Sequence, residues 1–305
     1  MARIAETLTL RNTLAAGIVL MLLGDFMFAL NDALGKWLVV TFSVGQILFV
    51  RSIGSFFVLA PMIARNGPGK LFSRERPVLQ VLRAFITALE TSLFYAAVVY
   101  LPLADVMSFY MAGPIYVAVL SHFFLGEHVG WRRWSAILIG FVGVLIILKP
   151  GSAGLGVGSL IALAGSLAFA ILIVMTRMLR DVSDTSLVTW QTVASLIAGG
   201  IMAVRAWAPA TALDIGAMLL LGVVACIAHL LITRALKLAP ASMLAPLHYT
   251  LLLWAAVFGL IFFGDVPGPR TLVGAVIVVL AGLFIFHRQK VVDTVPPETV
   301  PKGVN

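Results

Sequence analysis

Ionisable side chains stand inside otherwise apolar runs at helical spacings, and they define the chemistry open to this chain. Asp25, Ala29, Asp32 and Lys36 fall at i, i+4, i+7 and i+11, which places them on one stripe of a helix. Asp32 and Lys36 are i,i+4 neighbours and can pair. The stripe reads either as a substrate-amine contact or proton site, or as a structural ion pair near an interface with Lys36 snorkelling to water. Asp25 lies deeper and leans to the functional reading. Arg83, Thr87 and Glu90 share one face two runs later. An uncompensated carboxylate at the depth of Glu90 must be protonated or paired, and Arg51 is its expected partner. That pair is either a buried bridge between helices or a direct substrate or proton site.

The second half carries different groups. Cys226, His229 and Thr233 lie on one face at i, i+3 and i+7, Trp190-Gln191 precede Ser195, and His248-Tyr249 precede Trp254. His229 and His248 are either binding groups or satisfied packing residues, and His122 reads as structural. No HExxH and no clustered carboxylate-plus-His set appears, so neither a metal nor a cofactor is expected. Cys226 is the single cysteine, which excludes an intramolecular disulfide and a CxxC site. The stretch Gly154-Leu155-Gly156-Val157-Gly158 has no preceding strand and no following Lys-Ser/Thr, so it reads as a linker rather than a phosphate loop. No catalytic residue is assigned.

Aromatic residues sit within the apolar runs rather than at their ends: Phe94, Tyr95, Tyr110, Tyr116, Trp190, Tyr249 and Trp254. A mid-run Tyr must find a hydrogen-bond partner or line a wet cavity. Together they point to an apolar, aromatic cavity with a few polar anchors. The candidate binding or coupling set is therefore Asp25, Asp32, Arg51, Glu90, Phe94, Tyr110, Trp190, Gln191, His229, His248, Tyr249 and Trp254. Pro102 and Pro114 in one run, and Pro240 and Pro246 in another, mark paired hinges, because proline removes a backbone donor and clashes with the preceding turn. Ala162, Ser166 and Ala170 permit close helix approach.

The elements that must hold these groups follow from composition. The 305 residues are 61% hydrophobic and only 11% charged, with a mean hydropathy of +1.07. A water-facing surface cannot be built from that inventory, so lipid is the solvent and a soluble enzyme or a disordered chain is excluded. Ten runs are long enough to span a bilayer as helices: about 12–35, 44–64, 78–99, 103–125, 133–149, 156–179, 185–205, 213–236, 241–263 and 270–287. They do not alternate as barrel strands do. The fold class expected is all-α integral membrane.

The net charge is +8, yet the basic residues lie in short groups between runs, a pattern of membrane topology rather than nucleic-acid binding. With the N-terminus in the cytoplasm, fifteen Lys and Arg face that side and four face the other, so both termini are expected inside, at a cell inner (plasma) membrane. Residues 1–11 form a cytoplasmic tail, and 288–305, with Pro296, Pro297 and Pro301, a disordered one. The first run carries Asp25, Asn31 and Asp32 and is too long for a cleaved signal. The expected partners are a small-molecule substrate and the bilayer. Nothing in the sequence fixes an oligomeric state, and a monomer suffices.

The chain repeats itself. Leu101-Pro102-Leu103-Ala104 opens a run ending in Leu125-Gly126-Glu127, and Ala239-Pro240-Ala241-Ser242 opens one ending in Phe263-Gly264-Asp265, 138 residues on. Residues 12–149 and 155–287 are thus two five-helix repeats, and since five is odd the second enters from the opposite side. Inverted repeats characterise carriers that hold substrate near mid-membrane. With Ala29-Leu30-Asn31-Asp32-Ala33-Leu34-Gly35-Lys36, Arg51-Ser52 and Trp134 to Leu148, the chain resembles the drug/metabolite transporter superfamily, in its EamA-type ten-helix branch. The resemblance implies a central cavity lined by helices 1, 3, 4, 6, 8 and 9, with 5 and 10 peripheral. It also implies carriage of amino acids, drugs, riboflavin, S-adenosylmethionine or similar metabolites. Gly264-Asp265, followed by Pro267 and Pro269, departs from a strict Gly-Glu. The expectation is a secondary carrier working by alternating access, most simply an amino acid exporter with aromatic preference. The alternatives are an uptake carrier for riboflavin or S-adenosylmethionine and, more remotely, a non-transporting membrane protein or membrane enzyme.

Overall fold

The fold comes from a computed structural model, which describes residues 2–71, 75–126, 156–204, 206–239 and 241–266, with scattered positions within 131–146 and 268–284. Its long helices are α1 (Ala2–Val39), α2 (Val44–Asn66), α3 (Pro77–Tyr100), α6 (Val157–Met178), α7 (Asp184–Ala203) and α8 (Ala212–Leu238). All six are long and apolar enough to cross a membrane. Two further spans are interrupted. α4 (Leu103–Tyr110) and α5 (Gly113–Leu125) are separated at Met111-Ala112. The short α9 (Ala241–Leu244) leads through a 3-10 turn, Ala245–His248, into α10 (Tyr249–Phe263). The described positions within 131–146 and 269–284 are helical too, where the fifth and tenth runs fall. The protein is an all-α, multi-pass membrane protein.

Local chemistry sets the boundaries. Ser43 caps α2 by accepting from the Gln46 N–H at 3.2 Å, and Ser183 caps α7 by accepting from the Ser186 N–H at 3.1 Å. Thr211 and Asp214 form a reciprocal capping box on α8. The repeated Gly-Glu and Gly-Asp have a backbone cause. Gly126 ends α5 with φ 69° and Gly264 ends α10 with φ 67°, so both are left-handed caps that favour glycine.

Among the described helices most packing is between the two halves. α1 lies against α8 and, equivalently, α6 lies against α3. α2 crosses α8 as α7 crosses α3, α1 meets α10 as α6 meets α4 and α5, and α2–α7 and α4–α10 map onto themselves. Exchanging the two sets of described helices therefore preserves the contact pattern, so they pack with pseudo-two-fold symmetry. Large apolar side chains such as Phe57, Val81, Phe85, Ile201 and Ile261 point outward and remain exposed, as lipid contact demands.

Candidate substrate chamber

Where α2 and α8 cross, the backbones touch. A Cβ at Gly222 would lie 2.7 Å from the Arg51 carbonyl carbon, and one at Gly54 2.8 Å from that of Leu219. Only glycine permits this approach, and it carries Arg51 into the centre of the molecule. Arg51 Nη1 donates to Tyr95 Oη at 2.9 Å, Tyr95 Oη donates to Asn31 Oδ1 at 3.4 Å, and Asn31 Nδ2 donates to the Leu221 carbonyl at 2.9 Å. This relay joins α2, α3, α1 and α8.

A second cation is fixed from the other half. Arg83 Nε donates to Thr176 Oγ1 on α6 at 2.8 Å, and its Nη1 donates to Gln191 Oε1 and the Leu187 carbonyl on α7 at 2.9 and 3.2 Å. The side chain therefore bonds across the halves instead of snorkelling to the interface. Glu90 lines the same space as the two guanidinium groups and accepts from Tyr110 Oη at 3.1 Å and Thr91 Oγ1 at 3.2 Å. Asp32 faces the same space, within electrostatic reach of Arg51 and Glu90.

These groups enclose a chamber of about 60 Å³. Its walls are aromatic: Phe94 meets Tyr95 and Tyr110 edge to face, both at 5.6 Å, and Phe169 tilts against Tyr110 at 5.7 Å. His229 also lines it, its ring edge-on to Phe28 at 4.7 Å. A polar side void of about 20 Å³ adjoins it, bounded by Arg51, Gln191, Ser195, Cys226 and His229. The main chamber has room for a few water molecules, whereas pockets for drug-sized ligands run to roughly 300–1,000 Å³. In this structure the chamber is therefore contracted.

The structure thus gathers Asp32, Arg51, Glu90, Phe94, Tyr110 and His229 at one chamber, with Gln191 behind Arg83. Other candidates lie elsewhere. Asp25 and His248 pair with each other at 2.7 Å behind the chamber wall. Trp190 donates from Nε1 to the Leu71 carbonyl at 3.0 Å, at the end of the bundle where α1 begins, facing an apolar lateral groove. Trp254 packs on Phe26 and Phe258 at 4.9 and 6.0 Å. The Tyr249 side chain lies outside the described residues, as does Pro240. Pro102 is the N-cap of α4, Pro114 falls in the first turn of α5 and Pro246 within the 3-10 turn, so the breaks do sit beside prolines.

Two expected pairings are corrected. Arg51 bonds Tyr95 rather than Glu90, because Arg51 lies roughly 10 Å from the start of α2 and Tyr95 roughly 8 Å from the end of α3, while Glu90 is roughly 15 Å from that end at 1.5 Å per residue. Lys36 bonds Asp265 at 2.5 Å rather than Asp32, and its ammonium lies 4.5 Å over the Phe263 ring, because the loop after α10 brings a carboxylate to the end of α1. Thr91, Phe169 and Thr176 also line the chamber and carried no signal in the sequence, while Asn31 and Thr233, visible there as polar residues within spans, line it too. Tyr95 was visible only as a mid-run phenol needing a partner.

The arrangement can hold a carboxylate on guanidinium N–H groups, an ammonium on Glu90 or Asp32, and a flat ring among Phe94, Tyr110 and Phe169. Comparison with known proteins agrees with a carrier. The EamA-like transporter family matches residues 15–149 and 156–287. An S-adenosylmethionine uptake transporter of Rickettsia bellii is 28% identical over 281 residues, covering 91% of this chain and 96% of that protein. The pseudopaline exporter CntI of Pseudomonas aeruginosa is 28% identical over 91% of this chain and 98% of its own. A riboflavin transporter of Rhizobium johnstonii is 26% identical over 90% of this chain and 91% of its own.

Proposed function

The chain belongs to the EamA-like transporter family, within the drug/metabolite transporters, and from that premise we propose that its cargo is a zwitterion: an α-amino-acid head joined to an aromatic or heteroaromatic ring. It is a small-metabolite transporter, not an enzyme. The observation that carries the substrate reading is the convergence of Arg51 and Arg83 with Asp32 and Glu90 on one ring-walled chamber. Two cations and two carboxylates leave no net charge to bury when the ligand is itself a zwitterion. S-adenosylmethionine and the aromatic amino acids both carry that head and ring; the charge balance is complete for the amino acids, while the sulfonium of S-adenosylmethionine adds one positive charge for the carboxylates to meet. The S-adenosylmethionine transporters among the relatives favour the former over an aromatic amino acid exporter.

The contracted chamber must expand to admit such a ligand, so loading requires movement. In this reading residues 12–149 and 155–287 rock about the pseudo-two-fold axis, and the breaks at Met111-Ala112 and Ala245–His248 absorb the bending. The side where α1 begins is the cytoplasmic side of an inner membrane, and both termini lie there.

The test is exchange by purified protein in liposomes preloaded with unlabelled S-adenosylmethionine, tryptophan or riboflavin, with the labelled compound outside. Exchange of S-adenosylmethionine or tryptophan, lost in Arg51→Ala and Glu90→Ala, supports the reading. Riboflavin exchange with neither zwitterion moving overturns it, and leaves the aromatic walls as the recognition element.

A further inference from the structure

Behind the chamber wall lies a second polar centre that the substrate reading does not use. Asp25 on α1 is fully buried and His248 is 1% exposed, yet the two side chains meet at 2.7 Å through Nδ1 and Oδ1. Thr250 donates to the other carboxylate oxygen at 3.3 Å. The remaining ring nitrogen, His248 Nε2, is buried and has no hydrogen-bond partner among the described residues. His248 closes the 3-10 turn Ala245–His248 that interrupts the ninth span. Its ring stands edge-on to Phe169 at 5.0 Å, and Phe169 is part of the chamber wall.

The repeat sharpens this. His248 follows Tyr110 by 138 residues, the spacing of the two repeated motifs, and Tyr110 is the last residue of α4 before the corresponding break. Each break therefore bears one titratable side chain bonded to a mid-span carboxylate. Tyr110 holds Glu90 inside the chamber, and His248 holds Asp25 outside it. The other titratable groups on the packed elements are engaged elsewhere. His229 and Lys237 on α8 face Phe28 and Asp184, Arg177 on α6 donates to the Leu236 carbonyl, and Asp105 on α4 and His122 on α5 have interactions of their own. Among the described residues no other charged group bonds Asp25 or His248.

A neutral imidazole here leaves one buried negative charge and an unpaired acceptor at Nε2. A protonated imidazole makes the pair neutral but leaves an N–H without an acceptor. Nε2 is thus unsatisfied by the described residues in this structure with or without a proton, and opening at the break would give it water. We propose that the Asp25–His248 pair is a proton-binding site, and that movement of the ninth span at its break couples proton exchange there to substrate movement through Phe169. One proton adds to Nε2 from water on one side and leaves to water on the other, with Nδ1–H bonded to Asp25 throughout. No bond other than N–H forms or breaks.

The proposal rests on the carrier reading but not on which substrate is carried, and the test separates the two. Full-length protein is reconstituted with S-adenosylmethionine and, separately, tryptophan and riboflavin, the membrane potential being clamped at zero. A one-unit pH gradient should move whichever probe exchanges to about tenfold asymmetry in the wild type for one proton per substrate. In His248→Gln the asymmetry should collapse to one while gradient-free exchange persists, a split that a merely structural residue would not give. Wild-type exchange of any probe without asymmetry overturns the coupling and leaves the substrate reading standing. Should no probe move, amide hydrogen exchange of residues 245–250 between pH 5.5 and 8 decides. Protection that changes with pH in the wild type and not in His248→Gln or Asp25→Asn supports the site, and identical pH dependence in all three overturns it.

Discussion

Adding one methyl group at Gly222 should uncouple the chamber from its scaffold. The new Cβ would lie 2.7 Å from the Arg51 carbonyl carbon and 2.9 Å from the Ser55 nitrogen, all backbone, with the Arg51 oxygen closer still. Carbon–carbon contacts settle at about 3.5–4.0 Å, so α2 and α8 must part by on the order of 1 Å. The Ser55 Oγ to Gly222 carbonyl bond, now 2.9 Å, then breaks. Overpacking costs about 1–3 kcal/mol and the lost bond about 1 kcal/mol, against a gain of about 1 kcal/mol in helix propensity. A net loss of roughly 1–3 kcal/mol remains. Gly216 supplies the control: it lies on the same helix and a Cβ there meets nothing within 4 Å, so Gly216→Ala should be neutral or slightly stabilising. The assay is thermal unfolding of purified protein with and without a substrate panel. Gly222→Ala should melt earlier than wild type and lose ligand stabilisation, because the displaced backbone is that of Arg51. If Gly222→Ala and Gly216→Ala melt together, the helices do not meet as described and the argument fails.

Other expectations follow from the same geometry. Arg83→Lys replaces a fork by a point charge and cannot keep bonds to Thr176, Gln191 and Leu187 together, so apparent substrate affinity should fall by about tenfold or more in the liposome assay. Glu90→Gln keeps an acceptor for Tyr110 but removes the charge. It should abolish stabilisation by zwitterions and spare that by neutral ring compounds, read by the same thermal panel. The Lys36–Asp265 bridge joins α1 to the loop after α10 and is partly exposed, so Asp265→Asn should change the melting temperature little while speeding labelling of a chamber cysteine from that side. Equal labelling rates in Asp265→Asn and its parent would exclude a gating contribution from the bridge.

The spans were legible because twenty apolar residues in lipid leave the backbone no alternative to helix. The run expected at 44–64 is α2 at Val44–Asn66, and the run at 103–125 is α4 and α5 with a break beside Pro114. The duplicated Gly-Glu and Gly-Asp were legible as a pattern, and their left-handed caps explain why the pattern persists. The chamber was half legible. Depth along a helix can be counted, but rotation between helices cannot. Glu90 and Arg51 looked like natural partners until Tyr95 proved nearer in depth to Arg51. Trp190 and Trp254 looked like chamber aromatics, yet both turn away from it. The long-range pairs were beyond reach: Asp25 and His248 are 223 residues apart and Lys36 and Asp265 are 229 apart. Only the packing of the two halves against each other brings them together.

The chamber's role is tested most directly by its accessibility. In a Cys226→Ser background, Thr233→Cys places one thiol on the chamber wall at a position 2% exposed in this structure. In oriented vesicles an impermeant maleimide should label it slowly from each face in turn, and a saturating transported zwitterion should protect it. Labelling from neither face while exchange proceeds, or labelling that ignores the bound substrate, would place the transport path elsewhere and contradict the account.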